Sequence, residues 1–380
     1  MQVFPDPGPS LTPAHLPHGS RSDDFPLHAD SGLDRRGFLA AGGAAVLLCT
    51  VNGETVAVRS PQDVQRIDAA AAAQRKPDAA KDPVDSTAFP TPEPQPGGAK
   101  REYWLAARSV SWNIAPSGRD EWMKKPLPRR RTMRAFVYQQ FSSGFATPIG
   151  PARMPGPTLY AEVGDTIVVH FRNADRKLNQ AVTVHPHGVR YNPEYDGAYL
   201  GDYTRAGGFV EPGEEFTYVW EATPDSVGVW PYHDHGPNHT LNTIRGLFGG
   251  IVVREQGAAW PDVEELLFLH NLPPQVTGIP RLFHCINGRT AAGNTPTIRA
   301  KVGQRVALHA IGMDGNFHTF HIHGHRWRDT SGAFVDCPTL GPNETVSASF
   351  VEDNPGRWLY HCHVFSHQDA GMAGWYLVEQ

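Results

Sequence analysis

The sequence predicts an all-β protein made of two β-sandwich domains of the Greek-key type, produced by an internal duplication. Glycine and proline are abundant, with 38 and 34 copies among 380 residues, and only 19% of the residues are charged. This composition is typical of short strands joined by many turns. No long segment has the apolar spacing of an amphipathic helix. The third observation is that three blocks of sequence occur twice.

The repeated blocks define the two domains. Residues 157–170 match residues 296–309, residues 185–191 match residues 321–327, and residues 229–235 match residues 357–363. Because the order and the approximate spacing of the blocks agree, we predict one domain over residues 100–256 and a second over residues 262–380. Strand-rich units of this size bury their apolar side chains between two packed sheets.

Residues 1–57 are predicted to be a leader that carries a twin-arginine export signal. Arg35 and Arg36 precede Phe38 and Leu39, and a run of small and apolar residues follows. The alternative is a chance pair of arginines beside a buried helix. The apolar run is too short to cross a membrane, so we expect no stable membrane anchor. The export signal implies a periplasmic or extracellular location, with a possible cleavage site at residues 55–57.

Residues 58–99 are predicted to be a disordered tether. Their alanine run, their charges and their closely spaced prolines offer too few large apolar side chains to build a core. The ordered part of the chain is therefore expected to begin near residue 100.

Charge and cysteine content limit the function classes. The net charge is −5 and there is no basic stripe, which argues against nucleic acid as a partner. Of the four cysteines, Cys49 falls in the leader and Cys362 in a histidine cluster. Cys285 and Cys337 remain as an even pair. An exported protein favours their joining in a disulfide, and the alternative is two buried thiols.

Histidine supplies the main functional evidence. There are 19 histidines, and eight of them form four His-X-His pairs at 185/187, 233/235, 321/323 and 361/363. Side chains alternate between the faces of a strand, so both imidazoles of such a pair point the same way. Two similar domains that bring these faces together would place eight imidazoles around one cavity. Neutral imidazoles suit copper and, less well, zinc.

A second metal centre is predicted near the C-terminus. Cys362 lies between His361 and His363 and points to the opposite face of the strand. With His367, Met372 and His318, it offers one thiolate, two imidazoles and one thioether, the donor set of a mononuclear blue-copper site with a weak axial methionine. Domain 1 has Asp234 at the position of Cys362, so this centre is expected in domain 2 alone.

These motifs resemble the signatures of multicopper oxidases, over roughly residues 101–380. The resemblance rests on the segment from His318 to His325, on the segment from His361 to Met372, and on the two His-X-His pairs of domain 1. Two domains with type 1 copper only in the second resemble the bacterial two-domain small laccases. The resemblance implies two cupredoxin-like domains and four copper ions per chain.

The ligand assignments follow from that resemblance. Type 1 copper is assigned to His318, Cys362, His367 and Met372, and type 2 copper to His185 and His321. One type 3 copper is assigned to His187, His233 and His363, and the other to His235, His323 and His361. Six further histidines match no ligand position and are assigned structural roles, namely His170, His239, His270, His284, His309 and His325.

The function that the resemblance implies is that of a laccase. Phenols or aromatic amines would give single electrons to type 1 copper, and O₂ would be reduced to water at the trinuclear copper cluster. The alternatives are a cuprous-ion oxidase for copper tolerance, a copper nitrite reductase and a non-catalytic cupredoxin that carries electrons.

Two further residues are predicted to act near the copper cluster. Asp196 is a candidate proton donor near type 2 copper, or else an ordinary turn residue before Gly197. Tyr191 is a candidate redox-active residue, as in small laccases, or else part of the core.

If a short linker keeps the two histidine faces of one chain apart, each domain 1 must dock on the domain 2 of a neighbour. Such head-to-tail contacts close into rings, and small laccases form trimers, so we predict a homotrimer with interchain clusters.

Overall fold

The computed structural model describes residues 46–51, 54–77 and 89–380. The twin-arginine motif lies outside the described residues. Before the first domain come two strands and one helix, β1 (Leu47–Val51), β2 (Glu54–Val58) and α1 (Pro61–Ala73). The two strands pair as an antiparallel hairpin. This hairpin overlaps the last part of the predicted leader.

The prediction of a disordered tether is wrong for helix α1. Ser60 caps the helix: its side chain accepts a hydrogen bond from the amide of Asp63, and the Asp63 carboxylate accepts one from the amide of Ser60. Val64 and Ile67 lie on one face and pack with the hairpin against Leu241. Because the segment is rich in alanine, its composition did not predict this buried face. Residues 78–88 of the predicted tether lie outside the described residues.

Domain 1 is a sandwich of two four-stranded sheets, whose orders are β10-β8-β3-β6 and β7-β12-β11-β9. Its elements are β3 (Lys100–Asn113), β4 (Arg119–Asp120), β5 (Lys125–Pro126), β6 (Thr132–Phe141), β7 (Thr158–Glu162), β8 (Thr166–Asn173), β9 (His185–Pro186), β10 (Glu215–Glu221), β11 (Gly228–His233), α2 (His239–Arg245) and β12 (Phe248–Arg254). Short 3₁₀ turns occur at Ser143–Phe145, Pro193–Tyr195, Gly201–Tyr203, Ala206–Gly208 and Pro224–Ser226.

Domain 2 repeats this architecture with sheets β14-β13-β16-β22 and β15-β24-β23-β18. Its elements are β13 (Val263–Leu272), α3 (Pro274–Thr277), β14 (Phe283–Ile286), β15 (Thr297–Lys301), β16 (Arg305–Gly312), β17 (His318–Thr319), β18 (His321–Ile322), β19 (Trp327–Arg328), β20 (Phe334–Val335), β21 (Thr339–Leu340), β22 (Thr345–Val351), β23 (Gly356–His361), α4 (Phe365–Asp369) and β24 (Ala373–Glu379). The parallel pairs β3–β8 and β7–β12 recur as β13–β16 and β15–β24. The all-β fold with two sandwiches is confirmed.

The two sandwiches share an apolar core in addition to their own cores. Met133 of β6 and Phe248 of β12 pack in one cluster with Leu266 and Phe268 of β13 and with Phe283 of β14. All five side chains are buried. Phe248 lies directly opposite His233 across β12 and β11, so this shared core adjoins the strand end that carries one histidine pair.

A tyrosine facing a glycine anchors the last strand before each histidine pair. Tyr232 of β11 and Tyr360 of β23 are fully buried, and their hydroxyls donate to the carbonyl oxygens of Pro157 and Pro296, both at 2.7 Å. Each ring lies over a glycine of the neighbouring strand, where a β-carbon would overlap it. These contacts hold in place the strand ends that carry His233 and His361.

The four cysteines are free thiols, so the expected disulfide between Cys285 and Cys337 is not formed. Cys285 is buried in the apolar core between the domains, and burial raises the pKa of its thiol. Cys337 is partly exposed and is hydrogen-bonded to Thr319. The even number of cysteines therefore led to a wrong prediction of a disulfide. Among the described residues, no helix has the length and apolar character needed to cross a membrane.

Candidate metal centres

The four residues predicted to hold type 1 copper come from three adjacent segments of domain 2. The Sγ atom of Cys362 lies 3.8 Å from Nδ1 of His318 and 3.7 Å from Nδ1 of His367. Met372 is fully buried in the same apolar core as Cys362, and its carbonyl oxygen accepts a hydrogen bond of 3.1 Å from the Cys362 amide. Strand β17, the end of β23 and helix α4 thus present two imidazole nitrogens to one thiol.

The surroundings of Cys362 favour a thiolate. Burial raises the pKa of the thiol, but hydrogen bonds with His318, His367 and the amide of Thr319 outweigh burial and bring the pKa down to about 6. Burial lowers the pKa of His318, whereas its bonds with Asp314 and Cys362 raise it to about 9. A thiolate with two imidazoles and a nearby thioether is a soft donor set that fits copper.

Asp314 is a residue of this centre that the sequence analysis missed. Its Oδ1 atom lies 3.1 Å from Nε2 of His318, and its side chain is 6% exposed. Because Nε2 is engaged there, Nδ1 of His318 is free to face Cys362. Carboxylates commonly orient metal-binding histidines in this way. The only hint in the sequence is an aspartate four residues before the histidine, in the turn that follows β16.

Access from solvent is restricted to one side of the centre. His318, Cys362 and Met372 are fully buried, whereas His367 is partly exposed. The Nε2 atom of His367 has no hydrogen-bond partner among the described residues, and it is not among the buried unpartnered atoms, so it reaches the surface. The exposed edge of His367 is therefore the point at which an electron donor can approach.

The eight paired histidines form two separate quartets, one in each domain. In domain 1, five pairs of ring centroids among His185, His187, His233 and His235 lie between 5.0 and 5.9 Å apart. In domain 2, five pairs among His321, His323, His361 and His363 lie between 5.1 and 5.4 Å apart. The duplicated fold thus repeats the arrangement of the rings.

One pair of nitrogen atoms meets closely in each quartet. The Nε2 atoms of His187 and His233 are 2.9 Å apart, and those of His323 and His361 are 3.2 Å apart. The resemblance assigns each of these pairs to a different type 3 copper. Burial, reinforced by neighbouring imidazoles, lowers the pKa of His187 to about 4. Neutral imidazoles held this close together offer lone pairs to a metal ion, so the donor set fits copper.

Backbone carbonyl oxygens fix the orientation of four of these rings. Nδ1 of His185 donates to the carbonyl of Asp196, and Nδ1 of His321 donates to that of Asp336, both at 2.7 Å. Nδ1 of His233 and Nδ1 of His361 donate to the carbonyls of Asp234 and Cys362, at 2.8 and 3.0 Å. Each bond places the ring proton on Nδ1 and leaves Nε2 for a metal.

The two quartets do not meet within the chain. Across residues 89–380, no hydrogen bond or ring contact joins a histidine of one quartet to a histidine of the other. His323 and His363 are exposed to solvent. Each quartet alone supplies half of the eight imidazoles that the predicted trinuclear cluster needs.

Asp196 and Tyr191 both lie beside His185. The Asp196 carboxylate is 3.3 Å from Nδ1 of His185, and the Tyr191 ring packs edge-on against His185 with centroids 5.9 Å apart. Burial, the Asp196 charge and a hydrogen bond to Asp196 raise the pKa of Tyr191 to about 12. The structure therefore brings both predicted residues to the predicted type 2 position.

Asp234 occupies in domain 1 the position that Cys362 has in domain 2. Its buried carboxylate accepts hydrogen bonds from the amides of Thr183 and Gly236 and from the side chain of Asn242, at 2.8, 3.1 and 2.9 Å. Three protein donors thus bind the oxygens of this carboxylate. Domain 1 has a hydrogen-bond network at the position where domain 2 has the mononuclear metal group.

Comparisons with known proteins agree with this geometry. Two multicopper oxidase family models match residues 151–258 and 270–380. A probable nitrite reductase–hydroxylamine oxidoreductase fusion protein of Kuenenia stuttgartiensis is 31% identical over 247 residues, covering 60% of this chain and 28% of that protein. Human hephaestin is 29% identical over 349 residues, covering 74% of this chain and 30% of hephaestin. The chain thus spans less than a third of the length of these relatives.

Solved structures support the same fold. A crystal structure of a multicopper oxidase aligns with a TM-score of 0.58 and 23% identity, covering 74% of this chain and 89% of that one. The blue copper oxidase from Nitrosomonas europaea aligns with a TM-score of 0.55 and 24% identity, covering 74% and 86%. With the family models matching most of both sandwiches, this copper-binding chain belongs to the multicopper oxidase family.

Proposed function

We propose that the protein is a laccase-like oxidase that takes single electrons from phenols and aromatic amines and reduces O₂ to water. The observation that carries the proposal is the linkage at residues 361–363. Cys362 belongs to the mononuclear group, and its two neighbours, His361 and His363, belong to the domain 2 quartet. Four bound copper ions per chain would supply the electron transfer and the oxygen chemistry.

The protein provides a place where the electron donor can approach, a covalent path for the electron and a source of protons. A donor approaches the exposed edge of His367, while the other three residues of the mononuclear group are shielded from water. Cys362 is covalently joined to a histidine of the quartet on each side, so the route between the two centres is short. Asp196, beside His185, is placed to deliver protons to the trinuclear site, and Tyr191 is the nearby redox-active residue.

We propose that the trinuclear site is completed between chains in a homotrimer. Each chain offers an exposed domain 2 quartet and a separate domain 1 quartet, and these do not contact each other. A head-to-tail contact that pairs unlike quartets repeats until the ring closes. Each interface then holds eight imidazoles. The twin-arginine motif supports export before this assembly acts outside the cytoplasm.

A metal-ion oxidase is the second candidate. Hephaestin aligns with 74% of this chain, and so does a mouse protein that is named as a ferroxidase, HEPHL1, at 28% identity. The name of this second relative favours Fe(II) as the electron donor. The chain has only six methionines, which gives little support to a methionine-rich copper(I) site.

Oxygen uptake by the copper-loaded protein tests the proposal. We expect uptake with 2,6-dimethoxyphenol to exceed uptake with Fe(II) or Cu(I), and we expect no reduction of nitrite. The Cys362→Ser variant should be colourless and inactive, yet it should still bind about three of about four copper ions, because the thiolate is needed only at type 1 copper. Absence of O₂ uptake with every donor would contradict an oxidase.

A further inference from the structure

We propose that His284 contacts the substrate, accepting a hydrogen bond from the hydroxyl or amino group of an aromatic donor that docks at the exposed edge of His367. This inference rests on the proposed function and extends it to the substrate class. It also changes the role of His284, which matches no metal-ligand position in the sequence and which the sequence analysis treated as structural.

The position of His284 is set by strand β14. Its backbone lies opposite Asn271 of β13, and its carbonyl oxygen accepts a hydrogen bond of 2.9 Å from the Thr290 hydroxyl. The imidazole stacks on that of His367, with ring centroids 4.5 Å apart and planes at 25°. The imidazole of His284 is thus held against His367, the proposed copper ligand through which electrons would enter.

The two nitrogens of His284 have different surroundings. Nδ1 is buried and has no hydrogen-bond partner. Nε2 also has no protein partner among the described residues, but it is not buried, so it reaches the surface although the residue as a whole is only 7% exposed. Buried polar groups in proteins are almost always paired, so a ring that is only 7% exposed and has no partner at either nitrogen among the described residues is unusual. Its Nε2 atom is available to a molecule at this edge, and in the proposed complex the ring proton is on Nδ1, so that Nε2 is an acceptor.

The surroundings favour an aromatic molecule over a metal ion. Leu282 and Phe317, which precede His284 and His318 closely in sequence, are 37% and 68% exposed. The nearby carboxylate of Asp314 is buried and already bonded to His318. In the described part of the chain, the groups of three or more closely spaced metal-binding side chains are the His318–Cys362–His367 group and the His321–His323–His361 group. Neither group includes His284.

The test uses His284→Phe, which keeps a stacking ring and removes the acceptor. Steady-state O₂ uptake is measured with 2,6-dimethoxyphenol, which donates a hydrogen bond, and with ferrocyanide, which does not. We expect the ratio of kcat/KM for the phenol to kcat/KM for ferrocyanide to fall about tenfold, mainly through KM, which is the size of one lost hydrogen bond. His284→Gln, whose amide oxygen can accept, should recover part of the loss.

Controls separate the possible outcomes. His170→Phe replaces a histidine that stacks on Trp104 in domain 1, with centroids 4.6 Å apart, and should leave the ratio unchanged. The blue absorption band reports whether each variant keeps type 1 copper. A ratio that stays constant in His284→Phe overturns the role of His284, and so does a selective loss of Fe(II) or Cu(I) oxidation. If the wild type oxidises neither the phenol nor ferrocyanide, the proposed function itself fails.

Discussion

At the scale of single residues, the mononuclear group depends on a carboxylate that binds no metal. Asp314 holds Nε2 of the buried His318, and the Asn316 amide in turn donates to Asp314 at 2.8 Å. In Asp314→Ala, Nε2 of His318 would be left buried without a partner, and the ring would lose its fixed orientation. Loss of such a supporting contact commonly weakens metal binding by about 10- to 100-fold.

The corresponding prediction is that type 1 copper is lost at a lower chelator concentration in Asp314→Ala than in the wild type. The blue band, followed during titration with a chelator, measures the change. Asp314→Asn should lie between the two proteins because its amide oxygen can still accept. Asp369→Ala, which removes an exposed carboxylate from α4, serves as the control. Equal copper retention in all four proteins would show that Asp314 does not support His318.

The thiol of Cys362 leads to a prediction about pH in the copper-free protein. Its pKa is lowered to about 6 in the folded chain, so the thiolate is present above that pH and is protonated below it. The stabilisation from its two imidazole partners is therefore lost as the pH falls through about 6. We expect thiolate absorbance near 240 nm, measured as a difference from Cys362→Ser, to show a midpoint near that pH. His318→Ala should raise the midpoint because one hydrogen bond is removed.

At the scale of elements, the contact between Tyr360 and Gly374 sets the position of β23. Tyr360 pairs with Gly374 across β23 and β24, and a methyl group on Gly374 would overlap the buried ring. We expect Gly374→Ala to lower the free energy of unfolding by about 1–3 kcal/mol, which is typical of overpacking. Urea unfolding measures this loss. Gly315→Ala, whose methyl group would meet no atom within 4 Å, should be nearly neutral, and equal effects would argue against the packing explanation.

Sequence alone was sufficient wherever local spacing determines geometry. The alternation of a strand places His361 and His363 on one face and Cys362 on the other, and the duplicated blocks reveal both sandwiches. Asp314 and His284 were missed because their importance comes from contacts across the fold, with His318 and His367. Helix α1 was missed because its three buried residues, one of them an alanine in an alanine-rich segment, give a weak periodic pattern. Its buried face packs against Leu241, far along the chain.

At the scale of the whole molecule, the shared apolar core supports the proposal that one chain holds two half-sites. Residues of β6 and β12 pack against residues of β13 and β14, and this contact fixes how the two sandwiches are oriented within the chain. No hydrogen bond or ring contact among residues 89–380 joins the two histidine quartets, and His323 and His363 are open to solvent. A single chain therefore presents two unlike quartets, and in the proposed trimer each quartet pairs with the opposite quartet of another copy.

Complementation between two inactive variants tests this assembly. His187→Ala damages the domain 1 quartet, and His323→Ala damages the domain 2 quartet, so each variant alone should form inactive trimers. When both are co-expressed in equal amounts, an interface is intact if its domain 1 comes from His323→Ala and its domain 2 from His187→Ala. Random mixing gives a probability of one half for each, so about one quarter of the wild-type O₂ uptake should return. If the quartets joined within one chain, every chain would keep one damaged half and the mixed protein would stay inactive. Because the two variants have equal mass, one of them carries an affinity tag, and mass measurement of the mixed sample then shows that hybrid trimers have formed. Inactive hybrids would contradict the interchain site.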